Sequence, residues 1–192
     1  MKKIIYWSPY LGHVGTKKST LNSAKGLSFY GKDKFDVRLI NALGEWNDVD
    51  EIKTLSFFKN LYKRLPKGGF IKSRISYFLI FILCFFQLIK ILKKHKPEIF
   101  IAHLIVSLPL VLFRIFNFET KLIIRISGKP KLNILRKFIW KFCSKNVYKI
   151  FCPTNETKKT LIEYKIFESN KIFVLRDPVF KIRDYCFSKK EK

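Results

Sequence analysis

Short apolar runs alternate with longer segments of helical period along most of this chain. Lys3 to Trp7 has the pattern of a buried strand and is cut off at Ser8-Pro9. A loop holding Gly12 and Gly15 follows, and residues 17–30 then read as a helix. Phe35 to Ile40 predicts a second strand, with Asn41-Ala-Leu-Gly-Glu-Trp46 as the turn after it. Residues 48–71 show neither period, and Lys67-Gly68-Gly69 marks a flexible point. From Lys72 to Lys94 the chain is helical, with every position from Tyr77 to Phe86 apolar.

Beyond Lys96-Pro97 the alternation becomes regular. Strands are expected at 98–102, 121–126, 148–152 and 171–175, with helices at 106–116, 131–145 and 157–164 between them. Strands separated by helices pair in parallel through right-handed crossovers, so the pattern predicts an α/β fold, a doubly wound and mostly parallel Rossmann-like sheet. The length of 192 residues suits one such domain. Its expected extent is 1–179, with a linker and basic tail at 180–192.

The apolar stretch from Tyr77 to Leu92 would be about 24 Å long as a helix, shorter than the roughly 30 Å of bilayer hydrocarbon. A helix packed in the domain, or lying partly in a membrane interface with its lysines outside, fits it better than a span. The start of the chain has no signal-peptide core, and the expected compartment is the cytoplasm. Cys84, Cys143, Cys152 and Cys186 are scattered and form no C-x-x-C pair, so neither a zinc site nor a disulfide framework is expected.

Charge changes this picture. Thirty-nine Lys+Arg against 14 Asp+Glu leave +25. Eleven basic residues and no acid lie between Glu51 and Glu98, and nine more between Glu119 and Glu156. Interleaved with aromatics and aliphatics, such blocks suit an anionic membrane surface, and also nucleic acid. The other reading is compositional, a general bias toward Lys, Ile, Phe and Asn. No helix-turn-helix, zinc finger or RNP-type strand is readable, so nucleic acid is the weaker expectation.

In a parallel sheet, ligands gather at the carboxyl ends of the strands. Candidate chemistry is therefore sought at Ser8 to Thr16, Asn41 to Trp46, His103-Leu104, Ser127-Gly128 and Pro153 to Glu156. Gly12, Gly15 and Thr16 stand between a strand and a helix N-terminus, where backbone N–H groups can approach a phosphate, or where they form an ordinary turn. The spacing is not G-x-G-x-x-G. His103 follows a strand directly and can orient or activate a hydroxyl, or can be structural. Arg125 either pairs with a phosphate or carboxylate or bridges loops. Ser127 and Gly128 end the same strand. Glu45 either accepts a sugar hydroxyl or caps its own loop. Asp48-Val-Asp50 has the D-x-D form of metal-dependent sugar transferases but follows no clear strand.

The run Ile4-Ile-Tyr-Trp-Ser-Pro9 with Gly12 and Gly15, then Asn41 to Trp46, His103-Leu104, Arg125-Ile-Ser-Gly128 and Phe151-Cys-Pro-Thr154, resembles in its order the N-terminal half of family 4 glycosyltransferases of the GT-B fold. The resemblance extends from Lys2 to about Val179. It implies an acceptor-binding domain that works with a second, donor-binding half, on a nucleotide sugar and without a metal or other cofactor. It also implies that the Gly12–Gly15 loop faces the donor diphosphate, that His103 lies near the acceptor as the catalytic residue, and that Arg125 and Gly128 line the same cleft. Lys171 to Pro178 matches the start of the family's linker. A donor half on a separate or continuing chain, an anionic membrane and a lipid-linked glycan are the partners expected, in surface-polysaccharide assembly at the inner face of the membrane.

Overall fold

The computed structural model describes residues 1–12, 15–66, 68–130 and 132–178. The expected tail at 180–192, with Cys186, lies outside them. In chain order the elements are β1 (Lys2–Trp7), α1 (Gly15–Tyr30), β2 (Phe35–Asn41), β3 (Lys53–Ser56), α2 (Leu61–Arg64), α3 (Phe70–His95) and β4 (Ile99–Ala102). They continue with α4 (Ser107–Phe116), β5 (Lys121–Arg125), α5 (Ile134–Cys143), β6 (Val147–Cys152), α6 (Asn155–Glu163) and β7 (Ile172–Val174).

All seven strands pair in parallel, in the order β3-β2-β1-β4-β5-β6-β7. Strand order therefore grows outward in both directions from β1 and β4, the doubly wound arrangement the alternation predicts. The register Ile4↔Ile99, Tyr6↔Ile101 and Ile101↔Ile123 sorts the side chains into two faces. Ile5, Trp7, Phe100, Ala102, Leu122 and Ile124 belong to the larger core. Ile80, Cys84, Leu88 and Leu92 of α3, Leu110 of α4, Trp140 of α5 and Leu161 of α6 close it. On the other face Ile4, Tyr6, Val37 and Leu39 pack with Ala24 of α1.

Among the described residues, a helix covers that second face over only part of its width. Ile101, Ile123 and Phe151 are half-buried there, while Phe173 and Leu175 are exposed. Parallel sheets ordinarily carry cover on both faces, so this half of the sheet forms the floor of a groove.

Two stretches of the chain depart from the sequence expectation. Residues 48–71 read as irregular but contain β3 and α2. Lys53-Thr-Leu-Ser has one apolar residue and pairs only with β2, so an edge strand this short has no burial pattern to reveal it. The helix expected at 131–145 starts at Ile134, where Asn133 caps it by accepting from Arg136 N at 2.9 Å, and ends in a 3-10 turn over 144–146. Cys84, Cys143 and Cys152 are buried free thiols, as core cysteines are.

Candidate functional site

Because every strand runs the same way, the loops after β1, β4, β5 and β7 meet on one edge. The strand order reverses between β1 and β4, and a crevice opens at such a switch point. His103 stands there. Its backbone N–H donates to Trp7 O at 2.9 Å, which ties the residue after β4 to the end of β1. The imidazole is 4% exposed, and neither ring nitrogen has a hydrogen-bond partner among the described residues. Burial, with the Arg125 guanidinium adding to it, pushes the ring down to about 3, so the ring is neutral at physiological pH.

Arg125 ends β5 and is also buried. Its Nε donates to Asp177 Oδ1 at 2.8 Å and an Nη to Leu175 O at 2.8 Å. Ser19 Oγ of α1 donates to the same Asp177 oxygen at 2.8 Å, and Asn22 Nδ2 donates to Pro178 O. Of the two roles open to this arginine, the structure displays loop bridging: it fastens the chain after β7 to β5 and α1. Asp177 is the partner that sequence reasoning missed, since it sits 52 residues away in a stretch read only as the start of a linker.

His103 and Arg125 line a groove of about 590 Å³ between α1 and the incompletely covered sheet face. Ile101, Ile123 and Phe151 form its floor, with Leu27 and Tyr30 of α1 on its wall. Tyr6, which sequence reasoning took only as a strand residue, lies beside His103 with ring centroids 5.9 Å apart and shares a 3.0 Å hydrogen bond with Ser23. Its place on the inward side of β1 was readable, but its hydroxyl partner on α1 was not.

Gly15 and Thr16 form the first turn of α1, which contains no acidic residue. The turn is fixed by Thr20, whose hydroxyl donates to Thr16 O at 2.8 Å and shares a 3.1 Å bond with the fully buried Ser8. A Cβ added at Gly12, Gly15 or Gly128 would meet nothing within 4 Å among the described residues. The domain's own packing thus does not require glycine at these positions, and the space over each backbone is open to a ligand. Ser127 and Gly128 are exposed after β5.

Glu45 turns the other way. Its Oε2 accepts from Leu43 N at 2.6 Å within its own turn, and Oε1 is buried without a partner among the described residues. Its charge is felt by Cys84 on α3, inside the larger core. Burial holds the carboxyl up to about 7. The Tyr10 hydroxyl donates to the Glu45 carbonyl oxygen, and Lys17 sits over the Tyr10 ring at 5.0 Å. Asp48 and Asp50 are exposed on the loop before β3, and no group of three or more His, Cys, Asp or Glu fit to hold a metal occurs among the described residues.

No protein-family model and no curated protein matches the chain. Solved structures do match its fold. A glycosyltransferase from Rickettsia africae is similar at TM-score 0.62 and 18% identity, covering 99% of this chain and 49% of that one. HepE from Anabaena, solved with UDP and glucose, is similar at TM-score 0.63 and 12% identity, over 96% and 46%. The UDP-GlcNAc 2-epimerase from Methanocaldococcus jannaschii gives TM-score 0.55 and 15% identity, over 93% and 46%. The class is thus the GT-B fold shared by glycosyltransferases and epimerases. Within it this chain is one Rossmann-like half, spanning about half the length of the structures it matches.

Proposed function

We propose that this chain is the N-terminal, acceptor-side half of a sugar transferase of the family 4 type, which acts with a donor-binding half to move a hexose from a nucleotide sugar to a glycan acceptor. The observation that supports this best is His103: a neutral imidazole with two unpartnered nitrogens, placed at the switch point of the sheet and facing a groove. An unpartnered buried ring nitrogen favours a hydroxyl that can donate to it. Since burial and Arg125 both disfavour the imidazolium, His103 acts as a neutral hydrogen-bond acceptor that orients the attacking acceptor hydroxyl and does not itself take up the proton. It is poorly suited to hold positive charge beside the leaving group.

The donor diphosphate would approach the open backbone at Gly12 and Gly15, where the α1 N-terminus favours negative charge. The apolar groove floor suits the less polar part of an acceptor, and a lipid-linked glycan at the cytoplasmic face of a membrane fits both groove and charge. The test is transfer of labelled hexose from UDP-sugars to polyprenyl-linked acceptors by this chain together with its donor half. Turnover should need both halves, and His103→Asn should lower kcat by roughly 100-fold while leaving donor binding intact. Full turnover by His103→Asn would remove the assigned role. Loss of UDP-sugar turnover in every two-half preparation would leave a catalytically silent surface module instead.

A further inference from the structure

The layer made by α3, α4 and α5 has an outer surface that the larger core does not use. Along α3, Ser76, Ile80, Cys84 and Leu88 recur every fourth residue and are buried against the sheet. Opposite them run Ile71, Ile75, Phe78, Ile82 and Phe86, at spacings of four, three, four and four, between 49% and 71% exposed. The helix is long and apolar enough to cross a bilayer, yet its inner stripe is locked into the domain core and only its outer stripe is available. α5 repeats the arrangement: Trp140 and Cys143 face inward, while Ile134, Leu135, Phe138 and Phe142 are 58% to 88% exposed. α4 packs against both helices, and Tyr77 of α3 lies within electrostatic reach of the Arg136 guanidinium of α5.

Nine Lys and Arg and no Asp or Glu occur in α3, α4 and α5. Exposed apolar stripes of this extent on neighbouring helices mark an interaction site, and their charge selects the partner. A second copy would bring nine more basic residues to the same contact. Duplex nucleic acid would have no use for nine exposed aliphatic and phenyl groups. The end of the described chain does not cover the surface either, because Pro178 lies against α1, across the sheet. We infer that the outer faces of α3 and α5 form a two-helix platform that seats on an anionic bilayer, with the apolar stripes in the acyl boundary and the basic residues among the headgroups. Helices that return along a parallel sheet start at its carboxyl edge, so the platform's N-terminal ends lie at the edge where His103 stands, while the groove opens on the opposite face of the sheet. The platform is independent of the glycosyltransferase reading, since it would bind lipid whether or not sugar is transferred.

The test is co-sedimentation of the 192-residue chain with phosphatidylcholine vesicles, with and without phosphatidylglycerol, for the wild type and three variants. Anionic vesicles should retain the chain at least about tenfold better than zwitterionic ones, and high salt should weaken the binding without abolishing it. Phe78→Ser with Phe86→Ser, and separately Phe138→Ser with Phe142→Ser, should each weaken it by about tenfold or more. Phe29→Ser, exposed on α1, should leave it unchanged. Thermal melts of all variants should match the wild type, because the substituted groups lie outside the core. Vesicle binding indifferent to both double variants would overturn the inference, as would a lipid-free dimer that these variants dissociate or duplex DNA binding in place of lipid binding.

Discussion

At the scale of single residues, two buried titratable groups oppose one another. Glu45 is raised from 4.5 to about 7, so the folded state holds an extra proton between those values and stability falls as pH rises through them. His103 is lowered from 6.5 to about 3, so the unfolded chain holds the extra proton there and stability rises with pH across that window. Each term is of the order of 3 to 5 kcal/mol at most. Denaturant midpoints should therefore climb from pH 3 to about 4.5, stay nearly level to about 6.5, and drop slightly toward 7. In Glu45→Gln the level region should become a continued rise, and in His103→Asn a steady fall; parallel curves for all three proteins would show that neither group is perturbed. Asp177→Asn leaves a buried guanidinium without its counter-ion, and should lower unfolding free energy by roughly 3 kcal/mol. His103 and Arg125 were legible because each ends an apolar strand run. The Arg125–Asp177 pair and the inward turn of Glu45 were not, because both depend on contacts that strand periodicity does not encode.

Among the elements, the turn after β2 is the least tolerant. Gly44 has φ +85°, and a Cβ there would lie 2.0 Å from Lys59 O. Gly44→Ala must both strain the backbone and push apart the segment that Phe57 N and Tyr62 N fasten to β2 and its turn, at 3.0 and 2.7 Å. A loss of at least about 2 kcal/mol is expected, read from urea midpoints, and wild-type stability would show that this turn relaxes freely. A milder case is Thr154, which caps α6 by accepting from Thr157 N at 3.1 Å; Thr154→Ala should cost about 1 kcal/mol. Helices and inner strands were legible because they repeat a buried pattern over several residues. The edge strand β3 was not, for it buries almost nothing, and the length of α3 was legible while its division into a core stripe and an outer stripe was not.

For the whole molecule, sheet order followed from the alternation of strands and helices, because parallel pairing and handed crossovers leave few alternatives. That no helix of the described residues covers β4 to β7 on the α1 face could not be read, since half-buried Ile101, Ile123 and Phe151 look in sequence like any interior strand positions. The central pairing of the sheet joins Ile4 to Ile99, strands made early and late. During synthesis at about 5–20 residues per second, β1 waits roughly 5–20 s for its inner neighbour. Throughout that interval the nascent chain presents an open parallel edge, and α3 emerges with only the β1 and β2 part of the larger core to receive its inner stripe. A chaperone or a nearby membrane that shields this stretch on the ribosome would set the yield of folded protein, and slow, non-local pairing of this kind makes refolding from denaturant slow as well.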